Sequence, residues 1–207
     1  MIRQANLIRF NRLAESGRNQ PLLVTVETSD EVEHDAFMKP AGWSAELTKK
    51  SVVKECIASL VGNLASVPLC EPFLVHCSDE MMEGIVSEDI RRRLQRSAWP
   101  AYASRHAGRQ WGVWASGTRL DPDSFDDALS ILAFDAFIDN SDRCHRNPNL
   151  LTKGSELRAI DHEMGFAIPD LILVARPPWE NGSLGWLCEG PQSNAVSYTH
   201  LTLPTKA

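Results

Sequence analysis

The sequence predicts an α+β fold, with a β-rich first part that carries one long helix and a helical second part, built as one domain or two small lobes. Three observations predict it. Two apolar, β-prone runs, Leu22–Glu27 ("LLVTVE") and Ala36–Lys39 ("AFMK"), frame an acidic turn. From Ser44 to about Ala65 the apolar residues recur at helical spacing. Asp121-Pro122, an N-cap residue followed by proline, opens a second apolar helical run, Phe125–Ile138, which leads into the polar stretch "NSDRCHRNPNLL", Asn140–Leu151.

Each element follows from local chemistry. In "AFMK" the side chains alternate, so Phe37 and Lys39 share one face, and Pro40 and Gly42 then end the strand and turn the chain. Along the first helix Val52, Val53, Cys56, Ile57, Leu60, Val61 and Leu64 form one apolar stripe bordered by Glu55, and Glu46 stands in the first turn as a favourable dipole partner. Pro68 stops that helix. Phe73–Cys77 reads as a strand, Glu88–Ser97 as a short basic helix with a solvated Arg91–Arg93 face, and Gln110–Ala115 as a strand before a turn at Gly117. Asn149–Leu151 and Leu157–Ile160 read as two short strands around Lys153-Gly154-Ser155. A further apolar run, Leu171–Ala175, precedes Pro177-Pro178.

With 207 residues, 43% hydrophobic and 23% charged, the chain is large enough to build its core without a disulfide or metal staple. The net charge of −6 argues against a general nucleic-acid binder, whose affinity comes from neutralising phosphates. The five cysteines (Cys56, Cys70, Cys77, Cys144, Cys188) are odd in number and scattered, which fits free thiols in a reducing compartment. The N-terminus is charged throughout, without the apolar core of a signal peptide, and no run approaches a membrane span. A cytoplasmic protein is expected. The Thr-rich tail 194–207 contrasts with all that precedes it and resembles translated cloning adapter. It is expected to be non-native, with the chain truncated.

The residues that carry chemistry stand in an informative order. Phosphoryl transfer needs a cation on the nucleotide phosphates, a group to hold that cation, a group to orient the acceptor hydroxyl, and oxygen ligands for a hard metal ion. Lys39 ends a strand and Glu55 lies on the following helix. Asp142 and Asn147 share a D-x4-N spacing, and Asp161 closes the apolar strand beyond the next turn. An acid there is costly unless solvated or paired. Cys144, His145 and His162 lack zinc-ligand spacing, and Asp139, Ser141 and His145 lack the nucleophile elbow of a hydrolase.

At these residues a resemblance emerges. "DAFIDNSDRCHRNPNLL" with "LRAIDHEMGF", preceded by "PLLVTVE", "AFMKPAG", "KECIASLVGNLASVPLCEP" and "QWGVW", resembles the HipA-like kinases, a branch of atypical bacterial protein kinases, over most of residues 1–170. The resemblance implies a bilobed, atypical protein-kinase-like fold, with a nucleotide-binding N-lobe at 1–117 and a C-lobe carrying the catalytic loop at 118–193. It implies that Asp142 orients or deprotonates the acceptor hydroxyl. Arg143 would support the catalytic loop or neutralise phosphate, and Asn149 would brace the loop. Asn147 and Asp161 would hold Mg²⁺, and Lys39, oriented by Glu55, would contact the phosphates of ATP. Residues Trp114–Gly117, including Ala115, would form the hinge against adenine.

The resemblance further implies a Ser/Thr protein substrate and an antitoxin or regulatory partner. The D-R-x-x-x-N…I-D pattern is shared with phosphoinositide kinases, so a lipid or small-molecule acceptor stands as the alternative, as does a non-catalytic nucleotide-binding module. G-x-G-x-x-G is missing, and only "ESGRNQ", with Gly17, could cover phosphates. Asp161 precedes His162-Glu163 where many kinases have Phe-Gly, so an activation-loop switch of that kind is not expected.

Overall fold

The computed structural model describes residues 1–15, 19–115, 117–140, 142–144 and 146–166. Gly17, His145, the apolar run Leu171–Ala175, the rest of the expected C-lobe and the tail lie outside the described residues. The architecture is mixed α/β, with a β-rich N-terminal part and a helical part after it.

Five strands form the N-terminal part: β1 (Arg3–Leu13), β2 (Leu22–Thr28), β3 (Glu33–Ala41), β4 (Pro72–His76) and β5 (Ala98–Arg105). They close into a barrel in the order β1-β2-β3-β5-β4. All neighbours are antiparallel except β1 and β4, whose parallel pairing completes the closure. The barrel interior is apolar, with Leu22, Val24, Val26, Ala36, Met38, Phe73, Val75, Ala101 and Ala103 all buried. Alternation along β3 decides the site. His34, Ala36 and Met38 face the barrel core, so Phe37 and Lys39 face the other way.

The outer face of β3 and β5 is covered by α1 (Lys49–Leu64), which the Thr48 side chain caps by accepting from the Ser51 amide at 3.1 Å. The buried residues of α1 are Val52, Glu55, Ala58, Ser59 and Gly62, while Val53, Ile57 and Leu64 are exposed. Of the predicted apolar stripe Val52 is buried and Cys56, Leu60 and Val61 are half-buried, so the stripe only partly coincides with the buried face. Small residues let the helix lie close to its neighbours: Ser59 Oγ meets Tyr102 Oη of β5 at 3.0 Å, and a β-carbon at Gly62 would collide with Leu69, outside the barrel. The helix also starts later than expected, so Glu46 precedes it and does not sit in its first turn.

Two short helices, α2 (Asp79–Glu83) and α3 (Glu88–Arg96), lie between β4 and β5, and α3 buries Leu94 in the barrel's apolar cluster. Of the predicted solvated basic face, Arg92 is exposed and pairs with Glu88 one turn away at 2.7 Å, while Arg91 and Arg93 are half-buried and donate to the carbonyls of Ile85 and Trp43. After the barrel come β6 (Gly112–Val113), a 3₁₀ turn at Pro122–Ser124, α4 (Phe125–Ile138), β7 (Leu150–Lys153) and β8 (Glu156–Ala159). β6, β7 and β8 make a small antiparallel sheet. Ile131, Phe134 and Ile138 of α4 pack on Leu150, Leu157 and Ala159, and Ala58 of α1 joins them.

Three elements were not predicted. In β1 two register shifts break the period-two pattern, and arginines occupy its outward positions. β5 contains Pro100 and three alanines, residues depleted in strands. α2 spans only five residues.

Candidate active site

The loop after α4 is built around one buried ion pair. Asp139 ends the helix in the left-handed conformation (φ 52°), which Asp tolerates better than most residues. The chain then turns back on Asp135, whose Oδ1 accepts from Asn140 Nδ2 at 2.9 Å. Arg143 reaches the same carboxylate, with Nε 2.5 Å from Asp135 Oδ2, and both side chains are 1% exposed. Its remaining N–H groups donate to the carbonyls of Pro148 and Ile160, each at 3.2 Å, and of Asn149. Arg143 Nη2 also lies 3.1 Å from His162 Nε2. Arginine has no acceptor, so that ring nitrogen accepts. Arg143 is thus buried, with its donors turned to Asp135, the loop carbonyls and His162.

Asp142 comes out of this scaffold half-buried, with its Oδ2 accepting from Asn147 Nδ2 at 2.8 Å and Asn149 Nδ2 at 3.1 Å. A pair of backbone bonds between Cys144 and Asn147 tightens the loop. The carboxylate is thus held through its Oδ2 by two amides of the same loop.

Lys39 forms the other wall. Its Nζ donates to Glu55 Oε1 at 2.6 Å and to Asp161 Oδ1 at 2.8 Å, and lies 3.5 Å from Glu163 Oε2. Glu55, 2% exposed, is completed by the His162 amide on its Oε2 at 3.0 Å. Burial alone would lower the Lys39 pKa, but Glu55, Asp161 and Glu163 together outweigh it and hold the ammonium well above its ordinary value. Burial would likewise raise Glu55, and the Lys39 charge with the His162 hydrogen bond overcomes it, so its carboxyl sits below the usual range. Glu163 goes the other way. Burial, reinforced by Asp161 and Glu55 against the pull of Lys39, pushes it up to about 7.

Asp161 stands at φ 62°, another left-handed acid, and its side chain is 33% exposed. A strained, partly exposed acid ending a buried strand is an informative feature at a candidate site. The two walls are joined by contact: Arg143 binds the carbonyl of Ile160 and the ring of His162, the residues on either side of Asp161.

The donor chemistry suits a hard divalent cation. Asp161 uses one oxygen on Lys39, and the Asn147 amide nitrogen is committed to Asp142, which leaves oxygens on both residues. Carboxylate oxygens of Glu55, Asp161 and Glu163 lie within 4.8 Å of one another, and this group contains no histidine or cysteine. The Glu163 Oε2 atom is buried without a hydrogen bond.

The residues expected to form the hinge lie at and just after β6. β5 ends at Arg105, so residues 106–111 make the crossing from the barrel. Trp114 is buried in the second apolar cluster with its amide on the Leu150 carbonyl at 2.9 Å, and Ala115 is exposed. Sequence reasoning missed Asp135, Asn19 and Glu163 and considered His162 only as a zinc ligand without the right spacing. Asp135, an acid within an apolar helical run, was the one available signal.

A strand lysine clamped by a helix glutamate, facing an acid that follows a hairpin and a braced Asp/Asn loop, is an arrangement of the kinase class. A family model for HipA-like kinases matches residues 13–170, and the chain belongs to that family. No curated protein and no solved structure matches it.

Proposed function

We propose that this protein transfers the γ-phosphoryl group of ATP to a Ser or Thr hydroxyl of a protein, with Mg²⁺. The observation that carries the reading is the double contact of Lys39, which joins the helix carboxylate of Glu55 to the strand-end carboxylate of Asp161. This charged group, set apart from the barrel core, supports a phosphate site walled by Asp161.

In this reading Lys39 binds the nucleotide phosphates and Glu55 keeps it extended. Asp161 and the Asn147 amide oxygen would hold Mg²⁺, which supplies charge neutralisation on the phosphates. Asp142 orients the acceptor hydroxyl and takes its proton. The hydroxyl oxygen forms a bond to the γ-phosphorus, the bond to the bridging oxygen breaks, and ADP leaves with that oxygen. Arg143 and Asn149 keep Asp142 in register. The division into a nucleotide lobe and a catalytic lobe, and a regulatory protein partner, belong to the same proposal.

The test is label transfer from γ-labelled ATP with Mg²⁺ to protein in a bacterial extract. Wild type is expected to label serine or threonine, with Asp142→Ala slower by a factor on the order of 10² to 10⁴. Equal label from both would sink the assignment, and label recovered in lipid would move the acceptor to another class.

A further inference from the structure

The base of the β1–β2 hairpin is tied to the segment after Asp161 by a bond the proposed chemistry does not use. Asn19 is buried, and its Nδ2 donates to Glu163 Oε1 at 2.8 Å across 144 residues of chain. Its Oδ1 accepts from Ser44 Oγ at 2.8 Å, and Ser44 Oγ accepts from the Leu47 amide at 3.2 Å. Beside it Trp43 Nε1 donates to the carbonyl of Gln20 at 3.0 Å, under an Arg93 guanidinium 3.7 Å from the ring centroid. One side of the hairpin base is thus fixed to the link between β3 and α1, and the other to Glu163.

The choice of partners is physically apt. Glu163 already shares Lys39 with two other acids. A cationic partner would add a second positive charge there, whereas the Asn19 amide holds the carboxylate by a hydrogen bond and leaves the charge of the group unchanged. The same bond orders the hairpin base beforehand, which spares that ordering cost when a ligand binds.

We infer that Glu163 is a positioning residue: through Asn19 it fixes the β1–β2 hairpin against the Lys39–Asp161 site and so sets nucleotide affinity. The inference rests on the nucleotide reading of that site. Asn19→Asp places two carboxylates face to face. Glu163→Gln keeps an acceptor for Asn19. Asn19→Asp with Glu163→Gln rebuilds the bond with donor and acceptor exchanged, and the introduced carboxylate still accepts from Ser44.

The experiment measures Mg²⁺-dependent ATP turnover and thermal melting of the full chain for these three variants and Asn19→Ala. Asn19→Asp and Asn19→Ala are expected to raise KM for ATP about tenfold with kcat nearly unchanged, the size expected for one charge-assisted hydrogen bond. The exchanged pair is expected to return KM towards the value of Glu163→Gln alone, which keeps an acceptor for Asn19. If Asn19→Asp fails to fold, Asn19→Ala carries the comparison. A fall in kcat in Glu163→Gln that the exchanged pair does not repair would overturn the inference, because Glu163 would then act on the metal or the chemistry directly. Wild-type KM in both Asn19 variants would also overturn it. Wild type without any ATP response would instead remove the nucleotide reading, and this inference with it.

Discussion

Arg143–Asp135 and Lys39–Glu55 are both buried ion pairs, but only the first is saturated. Arg143 meets one carboxylate, three backbone carbonyls and a ring nitrogen, and neither partner reaches solvent. Lys39 is one cation among three acids. One of them, Asp161, is a third exposed, and another, Glu163, keeps a buried oxygen without a hydrogen bond. A saturated pair holds a loop in place and has nothing left to offer a ligand. A group with spare oxygens and excess negative charge is strained alone and relieved by a cation. The scaffold and the site differ in whether every donor and acceptor has been used.

Breaking the saturated pair gives the largest expected effect. Arg143→Ala leaves Asp135 buried and uncompensated and is expected to cost about 3–5 kcal/mol in denaturant unfolding. Replacing both partners, Asp135→Leu with Arg143→Met, recovers much of that stability, since no charge is left buried, while the loop carbonyls lose their donor and label transfer stays low. A double variant less stable than Arg143→Ala would show that the comparison is drawn wrongly.

The unsaturated group shows itself in pH. The folded pKa of Glu163, about 7, lies above its ordinary 4.5. Its contribution is therefore full below about 4.5 and lost as pH rises through about 7. Relative to Glu163→Gln, wild type should lose up to about 3 kcal/mol across that window. Glu55 has the opposite sign. Its folded pKa is depressed, so its contribution is lost only as pH falls below the ordinary carboxylate range, outside that window. Parallel stability curves for the two proteins between about pH 5 and 8 would refute the assignment to Glu163.

The smallest effect belongs to the exposed face of α1. Ile57→Ser should change stability by less than about 0.5 kcal/mol, whereas a core position on a predicted apolar stripe would lose several times that. A large loss would mean that Ile57 is covered.

This last case shows where the sequence could be read and where it could not. Lys39, Glu55, Asp142, Asn147 and Asp161 were legible because each is a chemically distinctive residue at a characteristic point of a predicted strand, helix or loop. Period-two alternation along "AFMK" even gave the face of Lys39. The buried face of α1 was not legible, because hydropathy ranks Val53 and Ile57 above Ala58, Ser59 and Gly62. Close packing makes small residues the interior ones, Ser59 against the barrel and Ala58 and Gly62 against the second apolar cluster. Asn19 and Glu163 were invisible for a different reason. Their bond spans 144 residues, and nothing local distinguishes an asparagine in a turn from one that holds a carboxylate. The barrel's closure depends in the same way on a parallel β1–β4 contact that no local pattern announces.

The central claim is that the Lys39–Asp161 wall is a metal-nucleotide site, and the most direct test is thermal melting of wild type and Asp161→Asn with ATP, with and without Mg²⁺. Removing one of three crowded acids should leave the ligand-free melting temperature equal or higher, since an asparagine oxygen can still accept from Lys39. Wild type should gain stability from ATP with Mg²⁺ by mass action, and Asp161→Asn should lose the Mg²⁺-dependent part of that gain. An identical Mg²⁺-dependent shift in both proteins would contradict the account.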